Sequence, residues 1–116
     1  MSLIRDIFIE QGASFSKTFN LKNPIGSATP FDLTGCSIIA SMKTIPESNT
    51  TIVDFYCDIV GDPEDGNIMI SLTPDYTRQI KPRKYVYDVV VIDSAYNFYR
   101  VIEGIAVVSP GITLDA

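Results

Sequence analysis

The strongest constraint on this fold lies in the last third of the chain. Tyr85-Val86-Tyr87-Asp88-Val89-Val90-Val91-Ile92 and the run from Phe98 to Val108 flank a short polar segment, Asp93-Ser94-Ala95-Tyr96-Asn97. Branched and aromatic side chains fit a pleated sheet better than a helix, and Asp, Ser and Asn favour turns, so the segment predicts a β-hairpin. The same grammar recurs upstream. Ile4 to Glu10 reads as a first strand. From Ala13, the residues Ala13, Phe15, Phe19 and Leu21 alternate with polar ones, Lys17 alone interrupting the apolar face, which predicts a second strand with one wet side.

A turn-rich loop from Asn23 to Pro30 leads through Phe31-Asp32-Leu33-Thr34-Gly35 to a third strand, Cys36 to Lys43. Thr51 to Val60 has the cleanest alternation, with Val53, Phe55, Cys57 and Ile59 on one parity. Gly61-Asp62-Pro63-Glu64-Asp65-Gly66 closes a hairpin into Asn67 to Thr73. Thr73-Pro74-Asp75 suits the start of a helical turn, with Thr73 as its cap and Pro74 at its first position. About seven short strands spaced near ten residues, with one short helical turn before the last hairpin, predict an all-β, immunoglobulin-like antiparallel β-sandwich in a single domain, residues 1–116. Tyr85, just after a corner, is the candidate for a hydroxyl that ties such a corner back to the chain.

Several functional classes drop out on composition. The chain has no His and no Trp, which removes the commonest general base near neutral pH and the commonest transition-metal ligand. A net charge of −5 opposes nucleic-acid binding, which relies on clustered cations. No apolar run approaches the ~20 residues of a membrane span, and the start offers no signal peptide, so cytoplasmic folding is expected. Cys36 and Cys57 do not match the immunoglobulin disulfide positions and read as reduced, buried thiols. Asp58, Asp62, Glu64 and Asp65 lack calcium-loop spacing and read as a turn, so no metal and no cofactor is expected. Asn49-Thr50-Thr51 fits a glycosylation sequon that, without export, goes unused. Asp88 and Glu103 read as outer-face acids, with Arg100 the partner for either.

Two surfaces stand out. Leu3, Ile4, Ile7, Phe8 and Ile9 make a first strand that is apolar on both parities, so both of its faces need cover, and it is a candidate interface between copies. Arg78, Lys81, Arg83 and Lys84 concentrate positive charge in an acidic chain, and suit an acidic partner or a solvated corner. Tyr56, Tyr96 and Tyr99 are candidate stacking platforms for a host-surface glycan, the alternative reading being a carbohydrate- or receptor-binding module.

Glu10-Gln11-Gly12-Ala13-Ser14-Phe15, Phe31-Asp32-Leu33-Thr34-Gly35, Gly66-Asn67-Ile68 with Ser71-Leu72-Thr73, Tyr85-Val86-Tyr87-Asp88-Val89, Arg100-Val101-Ile102-Glu103-Gly104 and Val107-Val108-Ser109-Pro110 with Ile112-Thr113 occur in that order. The series resembles the small β-sandwich virion proteins of tailed bacteriophages, including the N-terminal domain of siphophage baseplate upper proteins. The resemblance implies a non-enzymatic structural component of tail, baseplate or neck, assembled in the host cytoplasm with copies of itself and other virion proteins. Baseplate upper proteins continue into a helical or fibre region, whereas this chain stops at Ala116, so a stand-alone subunit is an equal expectation.

Overall fold

A computed structural model describes residues 2–111; Ile112 and Thr113 of the resemblance lie outside them. The strands are β1 (Leu3–Ile4), β2 (Ile7–Glu10), β3 (Phe15–Asn20), β4 (Ser37–Lys43), β5 (Val53–Asp54), β6 (Tyr56–Ile59), β7 (Asn67–Leu72), β8 (Lys84–Ile92) and β9 (Phe98–Ser109), with a 3₁₀ turn at Pro63–Asp65 and one helical turn, α1 (Pro74–Thr77). They form two packed sheets, an all-β sandwich. The larger runs β1/β2, β9, β8, β4, β5, and the smaller β3, β7, β6. The hairpin β8–β9 forms as the sequence predicts, and it sits at the centre of the larger sheet.

Two of the seven expected strands are each divided in two. The first breaks at Arg5 and Asp6, although Leu3 lies opposite Ile102 and Ile7 opposite Ala106, so no residue is inserted. Arg5 falls on the inward parity of Leu3, Ile7 and Ile9, where a charged side chain cannot go unpaired. The backbone turns instead: the side chain stays outside, and the Arg5 carbonyl dips over Gly104 to accept a hydrogen bond from the Tyr87 hydroxyl. A Cβ on Gly104 would lie 2.2 Å from that carbonyl oxygen, so only glycine leaves room. Asp6 accepts the Ile105 N–H at 3.1 Å, filling the gap in the ladder. Both pieces pair parallel with β9, whereas the other strand pairings of the sandwich are antiparallel as expected.

The second division is at Phe55. Val53–Asp54 pairs with β4 in the larger sheet, whereas Tyr56–Ile59 pairs with β7 in the smaller. The strand changes sheets without changing its inward parity, and Phe55 fills the crossing, its ring 6.0 Å from Phe15 and 6.3 Å from Tyr87. Those contacts join the two layers. Around them pack Leu21, Leu33, Met42, Ile68, Ile70, Val89, Val91 and Ile102, all essentially inaccessible. A bulge in β9 places Arg100 opposite Val90 and Ile102 opposite Val89, so Val101 is the extra residue and the neighbours Val101 and Ile102 are both buried.

The corner before β8 is held by Tyr85, whose hydroxyl donates to the Lys81 carbonyl at 2.6 Å, as its position predicts. Thr73 takes the cap position of α1 but its side chain makes no capping bond. The residue that fastens this turn is Thr77, fully buried, donating to the Ala13 carbonyl at 2.8 Å and accepting from the Gly12 N–H at 3.1 Å.

Candidate assembly surface

The inner face of the larger sheet is core; its outer face carries the surface of interest. On β8 the outward residues are Lys84, Val86, Asp88, Val90 and Ile92, and the register sets Val107, Ile105, Glu103, Arg100 and Phe98 of β9 opposite them in turn. Strand β4 continues the same rows with Lys43, Ser41, Ile39 and Ser37, and β1 and β2 add Ile4 beside Glu103 and Phe8 beside Val107. Phe8 is 70% exposed, Ile4 63%, Phe98 53%, Ile39 47% and Ile105 41%. Scattered apolar residues on a surface are ordinary, but five large ones on one sheet face make it the candidate contact area.

Across the middle of that face runs a charged band. Arg100 Nε donates to Asp88 Oδ2 at 3.1 Å, and Glu103 accepts from the Ser2 hydroxyl. An open depression of 440 Å³ lies over it, lined among others by Ile4, Val86, Ile105, Asp88, Arg100 and Glu103. Its charged groups are held by the Arg100–Asp88 pair and by Ser2, with no unpartnered buried polar side chain among the described residues.

The hairpin tip beside this face is built by Asp93. Its carboxylate accepts from the Asn97 and Ala95 backbone N–H groups at 2.8 and 3.0 Å, and from the Asn97 amide and Tyr99 hydroxyl at 3.1 Å each. Those donors, the Asn97 N–H first, hold Asp93 below the usual carboxylate range. Tyr96 sits at φ 64, a left-handed conformation that is costly for a bulky residue, and packs edge-on against Phe98 at 4.9 Å. With 75% of Tyr96 exposed, the pair projects into solvent beside the outer face.

Of the residues expected at an interface, Leu3, Ile7 and Ile9 are absorbed by the chain's own core, Ile7 and Ile9 being 2% and 1% exposed. Their candidacy is corrected: the strand pairs with β9 within the chain, and this parity packs into the chain's own core. Ile4 and Phe8 remain outside. The basic segment is not one patch. Arg78 pairs with Asp75 at 2.9 Å, Arg83 lies over the Tyr85 ring at 5.3 Å, Lys81 is exposed beside the carbonyl that Tyr85 binds, and Lys84 belongs to the outer face. Nor do the three tyrosines converge. Tyr56 packs against Tyr76 of α1, which precedes β8, whereas Tyr96 and Tyr99 follow the other end of a strand about 30 Å long.

Asp62 caps the 3₁₀ turn by accepting from the Glu64 N–H at 3.1 Å, and Arg100 partners Asp88 as expected, leaving Glu103 to Ser2. Both cysteines are free but only partly buried, which corrects the fully buried reading. Burial pushes the Cys57 thiol up to about 11 and also raises Cys36. Native protein at pH 8 is therefore expected to react more slowly with a thiol reagent than denatured protein, Cys57 more slowly than Cys36, with two thiols titrated after denaturation. Because folding raises the Cys57 value from about 9, its contribution to stability is full below that pH and is lost as pH rises through about 11. A thermal melt series from pH 8 to 11 checks the sign.

Ile39, Phe98 and Ile105 were not among the sequence candidates. Their signal was available: Val86, Val90 and Ile92 alternate with Tyr85, Tyr87, Val89 and Val91, so β8 is apolar on both parities, the mark of a strand covered on both faces. Scanned against protein-family models and searched against curated proteins, the chain finds no match.

Proposed function

We propose that this chain is a non-enzymatic structural subunit that works by assembling with copies of itself and with neighbouring proteins, in the setting its sequence resemblance suggests: the tail, baseplate or neck of a tailed-phage virion. One observation carries the reading: the outer face of the larger sheet presents Ile4, Phe8, Ile39, Phe98 and Ile105 in ordered rows on rigid strands. Contact residues on strands are held in fixed geometry, which suits a subunit that must repeat one interface. The charged groups on that face support the same role, since Arg100 is paired with Asp88 and Glu103 is held by Ser2 on an open surface. The genes flanking this one test the setting. Neighbours encoding sheath, baseplate or fibre proteins support it; a neighbourhood of unrelated metabolic genes contradicts it.

A further inference from the structure

We propose that the outer face of the larger sheet is the contact between two copies of this chain, related by a twofold axis that lies between the sheets, perpendicular to the strands and midway between the Arg100 and Glu103 rows. The proposal rests on the structural-subunit reading and names its surface.

The argument is the order of residues along β9 and β8. Outward positions on β9 run Phe98, Arg100, Glu103, Ile105, Val107, the bulge at Val101 keeping Arg100 and Glu103 adjacent on that face. Such an axis reverses the strand and lays it on itself. Arg100 then faces Glu103 of the other copy, and Phe98 faces its Ile105, each contact occurring twice, as a twofold interface requires. On β8 the same operation sets Ile92 against Val86 of the other copy, apolar on apolar. Asp88 falls opposite Val90, beside the Arg100 of the facing copy as well as its own. Among the outward apolar residues of β9 the operation pairs Phe98 with Ile105 and leaves Val107 at the rim.

Charge points to a second copy rather than a partner of one sign. The rows hold Lys43, Lys84 and Arg100 against Asp54, Asp88 and Glu103, with Glu10 at the rim, in a chain whose net charge is −5. A near-neutral face is where two like-charged molecules meet with least repulsion. Arg100 uses only Nε toward Asp88, leaving further guanidinium donors for a carboxylate across the interface. The area sits at the lower edge of what a small dimer needs: the strands of the larger sheet, at about 3.3 Å along and 4.8 Å across per residue, cover at most about 570 Å² per copy, against roughly 600–1,000 Å² for stable pairs.

Charge reversal tests the pairing. Arg100→Glu and Glu103→Arg variants, each checked for fold by circular dichroism, are measured for mass and dimer affinity by analytical ultracentrifugation. Each alone sets like charges together twice, and is expected to weaken self-association at least tenfold. Mixed in equal amounts, the two variants are expected to form a heterodimer, because acids at both positions of one then meet cations at both positions of the other. The double variant regains self-association. Phe98→Asp, on an exposed position, provides a charge-independent check and is expected to be monomeric. Variants as dimeric as the wild type overturn this face while leaving assembly through another surface standing. A wild type that is monomeric throughout overturns both the face and self-assembly.

Discussion

A Gly104→Ala variant is expected to lose about 3 kcal/mol of stability, seen as a fall of roughly 10 °C in melting temperature. The single added carbon would stand 2.2 Å from the Arg5 carbonyl oxygen and 2.7 Å from its carbon. Both are backbone atoms, so no side-chain rotation relieves the contact. The Arg5 carbonyl must leave, and with it the hydrogen bond from Tyr87, a hydroxyl whose pKa burial has already raised and which then lacks its acceptor. The loss is expected to concentrate in β1 and β2, with raised amide exchange at Arg5, Ile7 and Ile105. A variant within about 0.5 kcal/mol of the wild type would contradict this placement of the strand break.

A still larger loss is expected from replacing Ile7 and Ile9 together with alanine. Each is almost completely buried in the core, and truncation of a buried Ile costs about 2–5 kcal/mol, so the pair removes about 4–10 kcal/mol from a stability typically of about 5–15 kcal/mol. The double variant is expected to be largely unfolded or to melt tens of degrees lower, and deletion of the segment to behave the same way. Phe8→Asp, between the two, is expected to keep the fold, since that side chain points outward. The pattern separates what the chain uses for itself from what it offers a partner: a soluble, folded monomer from the Ile7/Ile9 variant would show the segment to be interface and not core.

The strands were legible because period-two alternation and turn residues are local signals, and Tyr85 was legible because its place after a corner is enough. The break at Arg5 was legible in principle, as a charge on an apolar parity, but its partners Tyr87 and Gly104 come from strands some 80 to 100 residues away. The change of sheet at Phe55 left no trace, because its inward parity persists across both sheets. Thr77 was hidden for a related reason: a threonine in a polar turn gives no hint that its hydroxyl will be buried against Gly12 and Ala13. For the candidate surface, the doubly apolar pattern is present in the first strand and in β8 alike. In the first strand one parity was satisfied within the chain, whereas the outward parity of β8 and β9 remained uncovered.

The proposed self-association of this sandwich runs through the outer face of its larger sheet. Light scattering coupled to size exclusion, on wild-type protein from about 1 µM to 1 mM, tests it most directly, since a contact of this area falls within the range of weak to moderate affinities. The account predicts a mass rising with concentration from that of the 12.8 kDa chain toward twice that value. A mass that stays at 12.8 kDa across the whole range would contradict it.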